Sequence, residues 1–319
     1  MYLFMTKKKI LTVIILVVVI AVVIAGLIFE LDYFDVIDLD YKPKYPGVAY
    51  EDLGSAKKLE GKTALVTVFA SDGYDKWDFT QPEDKRKRED LLRYLSVGTD
   101  WLTEQGKKYR VELEFVQPFD ENDNVLYYEH DFGDIIVNDD YMSRFMNKEA
   151  DYEWDFIDSY VNNDAIYKEL GCQNVVYYFF YDGGTLPNTF IYELNVYNKP
   201  FERPYELVVS PYWYIRKNQP ISPDMLIHEL LHDFGAPDLY APDNHDFLYH
   251  TTSDFVDFCS VFHTTDIMYT TGGNVNRQFY WDRVDAEITD ITAYYLGWIK
   301  DPPLEVDLFR LVRSQHDRP

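Results

Sequence analysis

Histidine is scarce in this chain, seven among 319 residues, yet two of them bracket a glutamate as His228-Glu229-Leu230-Leu231-His232. On a helix, positions i and i+4 share a face, so His228 and His232 can aim two imidazoles at one zinc ion. Glu229 then stands beside the first histidine, placed to reach a water at the metal without being a ligand itself. That arrangement performs metal-assisted hydrolysis, with the glutamate as general base. A purely structural metal site has no need of the glutamate.

The histidines must be held by a helix, and its signals are present. Ser222-Pro223-Asp224 offers a capping hydroxyl, a proline at the first helical position and an acid at the positive end of the dipole. Leu226, Ile227, Leu230 and Leu231 supply a buried face, and Gly235 supplies the left-handed stop. A glycine three residues past His232 lets the chain turn sharply. The residue three further on, Asp238, then comes back to the metal as an oxygen ligand. His245, His250 and Glu287 (with Asp290 beside it) are the alternatives for that third place, and His263 reads as a loop or substrate-side histidine. Met268 follows 36 residues after His232, within Thr265-Asp266-Ile267-Met268-Tyr269 and ahead of Thr270-Thr271-Gly272-Gly273.

The whole stretch, HELLHDFGAPDLY followed by Asp-Ile-Met-Tyr, resembles the metzincin metallopeptidases, whose pattern is HExxHxxGxx(H/D) and then a methionine turn. Within them it looks most like the secreted bacterial peptidases of the immune inhibitor A family. Ala293-Tyr294-Tyr295-Leu296-Gly297-Trp298 is similar to the helix that follows the methionine turn in that family. The specific likeness covers residues 222–300; over 30–221 only the order of strands and helices fits. The resemblance implies a mixed, mostly parallel twisted sheet with an active-site helix. It also implies one catalytic zinc on His228, His232 and Asp238, Glu229 as base and Met268 as the floor of the site. The chain departs from the pattern at Leu231, where a small residue is usual, at Phe234, and at Thr270, where some metzincins carry an oxyanion-binding tyrosine. Tyr269 is the candidate for that role here.

Ile10–Phe29 is a run of twenty residues without a charge, preceded by Lys7, Lys8 and Lys9 and followed by Glu30, Asp32, Asp35 and Asp38. Its length matches the roughly 20 residues a helix needs to cross a bilayer, and the lysines keep the amino terminus in the cytoplasm. The expected layout is a cytoplasmic end at 1–9, a transmembrane anchor at 10–29, a spacer at 30–60 and an exported domain at 61–319. A cleaved signal peptide would export the same domain. Removing three lysines from the 30 basic groups leaves 27 against 55 acidic ones beyond residue 29, a net charge of −28. Such a surface repels phosphate backbones, so nucleic acid is not an expected partner. The two cysteines, Cys172 and Cys259, suit either a disulfide or two buried thiols.

Within the exported part, strands are expected at Thr63–Ala70, Tyr109–Val116, Asn174–Tyr181, Phe190–Val196 and Glu206–Ser210. Helices are expected from Glu83 to about Glu104 and within 139–170. Strands interleaved with helices point to an α/β sandwich with a mixed sheet. The acids of Asp120-Glu121-Asn122-Asp123-Asn124 resemble the start of a calcium loop, without its turn glycine or terminal glutamate. Together the features predict a membrane-anchored extracellular zinc endopeptidase acting on peptide or protein, with substrate added along Phe190–Val196 as an extra strand. Two other functions compete: a non-catalytic surface adhesion or sensing protein retaining a structural zinc, and a hydrolase of cell-wall amides.

Overall fold

The computed structural model describes residues 55–306, apart from 57, 74–75, 134–149, 186–187, 191–204, 215–217, 243–251 and 274–275. The chain divides into two compact units, and Lys44–Asp301 carries the sheet and the site residues described below. Its elements run β1 (Gly61–Ser71), α1 (Pro82–Lys108), β2 (Leu113–Val116), β3 (Tyr127–Asp131), α2 (Asp151–Tyr160), α3 (Asn163–Lys168) and β4 (Asn174–Thr185). They continue through β5 (Asn188–Phe190), β6 (Leu207–Tyr214), β7 (Gln219–Pro220), α4 (Pro223–Asp233), α5 (Ser253–Phe262), α6 (Ile267–Gly273) and α7 (Asp290–Tyr295).

The strands form one mixed, mostly parallel sheet in the order β2-β1-β4-β6-β5, with β3 continuing alongside β1 and β7 pairing with β6. β1 runs parallel to β2, β3 and β4, and β4 parallel to β6. Only β5 and β7 are antiparallel, both against β6, so the sheet ends at an antiparallel edge. The apolar runs explain this placement. A strand covered on both faces needs no polar alternation, and Thr63–Ser71 and Val175–Tyr181 are buried throughout. On one face Ala64, Val66, Val68, Tyr177 and Phe179 form a core with Trp154, Phe156 and Ile157 of α2 and Ile166 of α3. On the other, the Tyr178 hydroxyl donates to the Leu226 carbonyl of α4 at 2.8 Å, and α1 packs beside α4.

Several boundaries differ from the sequence expectation. α1 runs on to Lys108 because Leu102, Gln105 and Gly106 continue its buried stripe, which leaves β2 only Leu113–Val116. The 139–170 region contains two helices among its described residues. α2 ends at Tyr160, and Asn162 caps α3 by accepting the Ala165 amide at 3.1 Å. β3 and β7 are additional short strands. Of Phe190–Val196 only Phe190 is described, as the last residue of β5; 191–196 lie outside the described residues. Ile10–Phe29, His245 and His250 also lie outside them. Among the described residues no helix is long and apolar enough to cross a membrane. Cys172 and Cys259 are both free, buried thiols.

Candidate metal centre

The metal helix α4 is buried from Pro223 to Leu231, which fixes its rotation and therefore where its histidines point. Its start differs in detail from the expected cap. Ser222 has extended backbone geometry, but its hydroxyl bonds the Asp224 carboxylate rather than a helix amide. Burial pushes the Asp224 carboxyl up, while Arg277, 2.8 Å away, pulls the other way. At the far end the chain turns through Gly235 at φ 89°, with Gly235 N donating to His232 O (2.9 Å) and Ala236 N to Leu231 O (3.1 Å). These two bonds define a Schellman stop. Three residues later the Leu239 amide donates to Met268 O at 3.0 Å, which anchors the loop on the methionine turn.

That loop brings Asp238 to both histidines. Asp238 Oδ1 lies 3.2 Å from His228 Nε2 and 3.4 Å from His232 Nε2, and the two Nε2 atoms are 3.2 Å apart. The far nitrogens are engaged elsewhere. His232 Nδ1 lies 2.8 Å from the Ala236 carbonyl, and His228 Nδ1 lies 2.7 Å from Thr271 Oγ1 and 3.3 Å from Ile267 O. A carbonyl can only accept, so in the neutral His232 ring it keeps the proton on Nδ1 and turns the Nε2 lone pair toward the site. Asp238 Oδ1 is buried, and its near neighbours are the two imidazole Nε2 atoms, with neither of which it makes a well-aligned hydrogen bond. A carboxylate oxygen and two imidazole nitrogens thus converge on one point.

The donor set fits zinc. A tetrahedral ion with ligands at about 2.0–2.1 Å sets neighbouring donors about 3.3–3.4 Å apart, close to the three separations found here. Among the described residues the donors are two imidazoles and one carboxylate, and three protein ligands would suit a hydrolytic rather than a structural zinc site. Among the described residues this is the one His/Cys/Asp/Glu group with metal-ligand spacing. Burial alone would lower the His232 pKa, but the facing Asp238 carboxylate raises it to about 9. Burial would raise Asp238, yet His232 and then His228 hold it well below the usual carboxylate range.

The other expected residues are placed as follows. Glu229 sits on the same helix, 7 % exposed. Met268 is fully buried, its amide donating to Asp266 Oδ1 at 2.8 Å. Asp266 is the anchor of that corner: its carboxylate also accepts from Thr292 Oγ1 and from the amide and hydroxyl of Thr289, tying α6 to the start of α7. The Tyr269 ring lies against Gly273, whereas the tyrosine ring facing His228 is Tyr240, with centroids 6.0 Å apart and planes at 27°. A side chain at Gly272 would meet Tyr240 Cζ at 2.2 Å, so the glycine pair makes room for that ring.

Glu287 is engaged with the Thr265 hydroxyl and Asp290 accepts from Tyr109 at 3.1 Å; among the described residues the carboxylate beside the two histidines is that of Asp238. His263 closes α5, its amide donating to Cys259 O at 2.9 Å. In the Asp120–Asn124 loop, Asp120 accepts from the Asn122 amide, Asp123 from the Val125 and Leu126 amides that follow, and Glu121 pairs with Arg88 at 2.9 Å.

Sequence reasoning missed Thr271 and Tyr240, although both stand inside the quoted motifs. It also missed Asp233, directly after His232, which is buried with neither carboxylate oxygen hydrogen-bonded. Burial, followed by the nearby Glu206 and Glu229 charges, pushes its carboxyl well above the usual range. No protein-family model matches the chain, and no curated protein matches it.

Proposed function

We propose that the protein is a zinc-dependent endopeptidase of the metzincin type, most like the immune inhibitor A peptidases, held on the outer face of a membrane by Ile10–Phe29. The observation that carries this reading is the triangle of His228 Nε2, His232 Nε2 and Asp238 Oδ1, with sides of 3.2–3.4 Å, beside the carboxylate-bearing Glu229.

When bound there, zinc supplies Lewis acidity, lowering the pKa of a ligated water to about 7 and polarising a carbonyl. The chain supplies the rest. His228, His232 and Asp238 would hold the ion. Glu229, next to His228 on a rigid buried helix, takes the proton of the attacking water and delivers it to the leaving amine. Peptide would enter along the sheet edge that β5 forms among the described residues, adding as an extended segment. The test is incubation of residues 30–319 with a broad peptide library, with and without a chelator. Internal cleavage abolished by chelation and restored by zinc is expected; an intact library with zinc loaded would overturn the reading.

A further inference from the structure

Each metal-facing histidine needs a partner that keeps its proton on the far nitrogen, because only an unprotonated Nε2 can ligate. For His232 the partner is main chain, the Ala236 carbonyl, which no substitution at that residue removes. For His228 it is a side chain, and the side chain belongs to a different helix. Thr271 Oγ1 lies 2.7 Å from His228 Nδ1 and also 2.7 Å from the Ile267 carbonyl one turn back in α6. A hydroxyl has one proton and two lone pairs. The Ile267 carbonyl accepts only, so the Thr271 proton goes to it. What Thr271 Oγ1 then presents to His228 is a lone pair. His228 Nδ1 must therefore be the N–H donor, and its second contact, Ile267 O at 3.3 Å, is an acceptor as well.

The proton count closes in only one way, and Thr271 is 4 % exposed, so water does not compete for the bond. The geometry points to Thr271 as a positioning residue of the metal centre, whose hydroxyl fixes the His228 tautomer and ring orientation from the methionine-turn helix. It rests on the metal-centre reading above but not on peptidase activity. The threonine is suited to this task beyond its hydroxyl. β-Branching stiffens χ1, and the bond to the carbonyl four residues back locks the rotamer. α6 thereby reports to the metal site through one side chain: Met268 O holds the Asp238 loop, and Thr271 holds His228.

Three proteins test this: the full chain, Thr271→Val, which keeps the shape and loses the hydroxyl, and Thr271→Ser, which keeps the hydroxyl. Two readouts are taken: the zinc dissociation constant by competition with a chromogenic chelator, and the His228 tautomer in metal-free protein by long-range 1H–15N correlation. Thr271→Val is expected to weaken zinc about 10–100-fold, the usual effect of losing an outer-shell partner, with Thr271→Ser within a few-fold of wild type. The metal-free wild type is expected to show His228 protonated on Nδ1. Equal zinc affinity in wild type and a folded Thr271→Val overturns the proposal, as does an Nε2-protonated His228 in wild type. The latter needs no variant to fold. A wild type that binds no zinc but carries the Nδ1 proton would sink the zinc reading and leave the tautomer lock standing.

Discussion

Leu239 N donates to Met268 O at 3.0 Å, joining the loop that carries Asp238 to the turn that lies 30 residues further along the chain. Through this bond the Asp238 carboxylate, the third donor of the candidate metal centre, is positioned by tertiary structure as well as by the Gly235 turn. Asp238→Asn keeps the shape of the side chain but replaces an anionic oxygen by a poor zinc ligand. Zinc affinity, measured by competition, should fall by more than ~100-fold, whereas Glu287→Gln should leave it unchanged.

Gly235 has φ 89°, a conformation that costs an L-residue roughly 1–2 kcal/mol. Gly235→Ala should lower stability in urea by about that amount and weaken zinc binding too, since the turn aims Asp238. Gly272→Ala meets a different obstacle, the Tyr240 ring. It should displace that ring from His228 and be seen as a change in tyrosine fluorescence on metal addition.

Metal binding should be strongly pH-dependent. Without metal, His232 keeps a proton up to about pH 9, and zinc must displace it. Apparent zinc affinity should therefore rise about tenfold per pH unit below that value and level off above it. The same shift has a sign for stability. A histidine raised from 6.5 to about 9 stabilises the metal-free fold fully below pH 6.5 and loses that contribution as pH rises through 9. Chelated protein should accordingly melt at lower temperature at pH 9 than at pH 6.5, over and above other titrations, and His232→Gln should flatten that difference.

Glu206 provides a second pH test, at a carboxyl that is not among the metal donors. Burial pushes its carboxyl up to about 8, against the pull of the Ser55 hydroxyl and the Ala56 and Ser55 amides. The folded state then holds a proton that the unfolded chain releases near 4.5. This group's contribution therefore declines as pH rises from 4.5 to 8, by at most about 1.4 kcal/mol per unit. Glu206→Gln should abolish that decline, read as the difference between the two proteins' denaturation midpoints across this range.

The legible parts of this molecule are those encoded locally. The i, i+4 histidines, Pro223 at the helix start and Gly235 at its stop all act within one or two turns, and the continuous β-branched and aromatic runs of β1 and β4 suit doubly covered strands. Strand β3 escaped notice because its five residues, Tyr127–Asp131, mix charge with aromatics and pair only because β1 is there. The Ser222 cap was misread for a similar reason. Its hydroxyl meets Asp224, which a distant arginine, Arg277, draws into place. Thr271, Tyr240 and Asp233 gain their roles from neighbours on other elements or from burial, and no spacing rule announces that. The choice of Asp238 over Glu287 needed the structure, since both are acids at plausible distances along the chain.

The most direct measurement is metal content and peptide cleavage of residues 30–319 beside Glu229→Gln. The account predicts one zinc per chain in both proteins, with cleavage in the wild type and a loss of at least ~100-fold in the variant, the scale of a general base. Equal cleavage by the two proteins, or full zinc loading with no cleavage by the wild type, would contradict it.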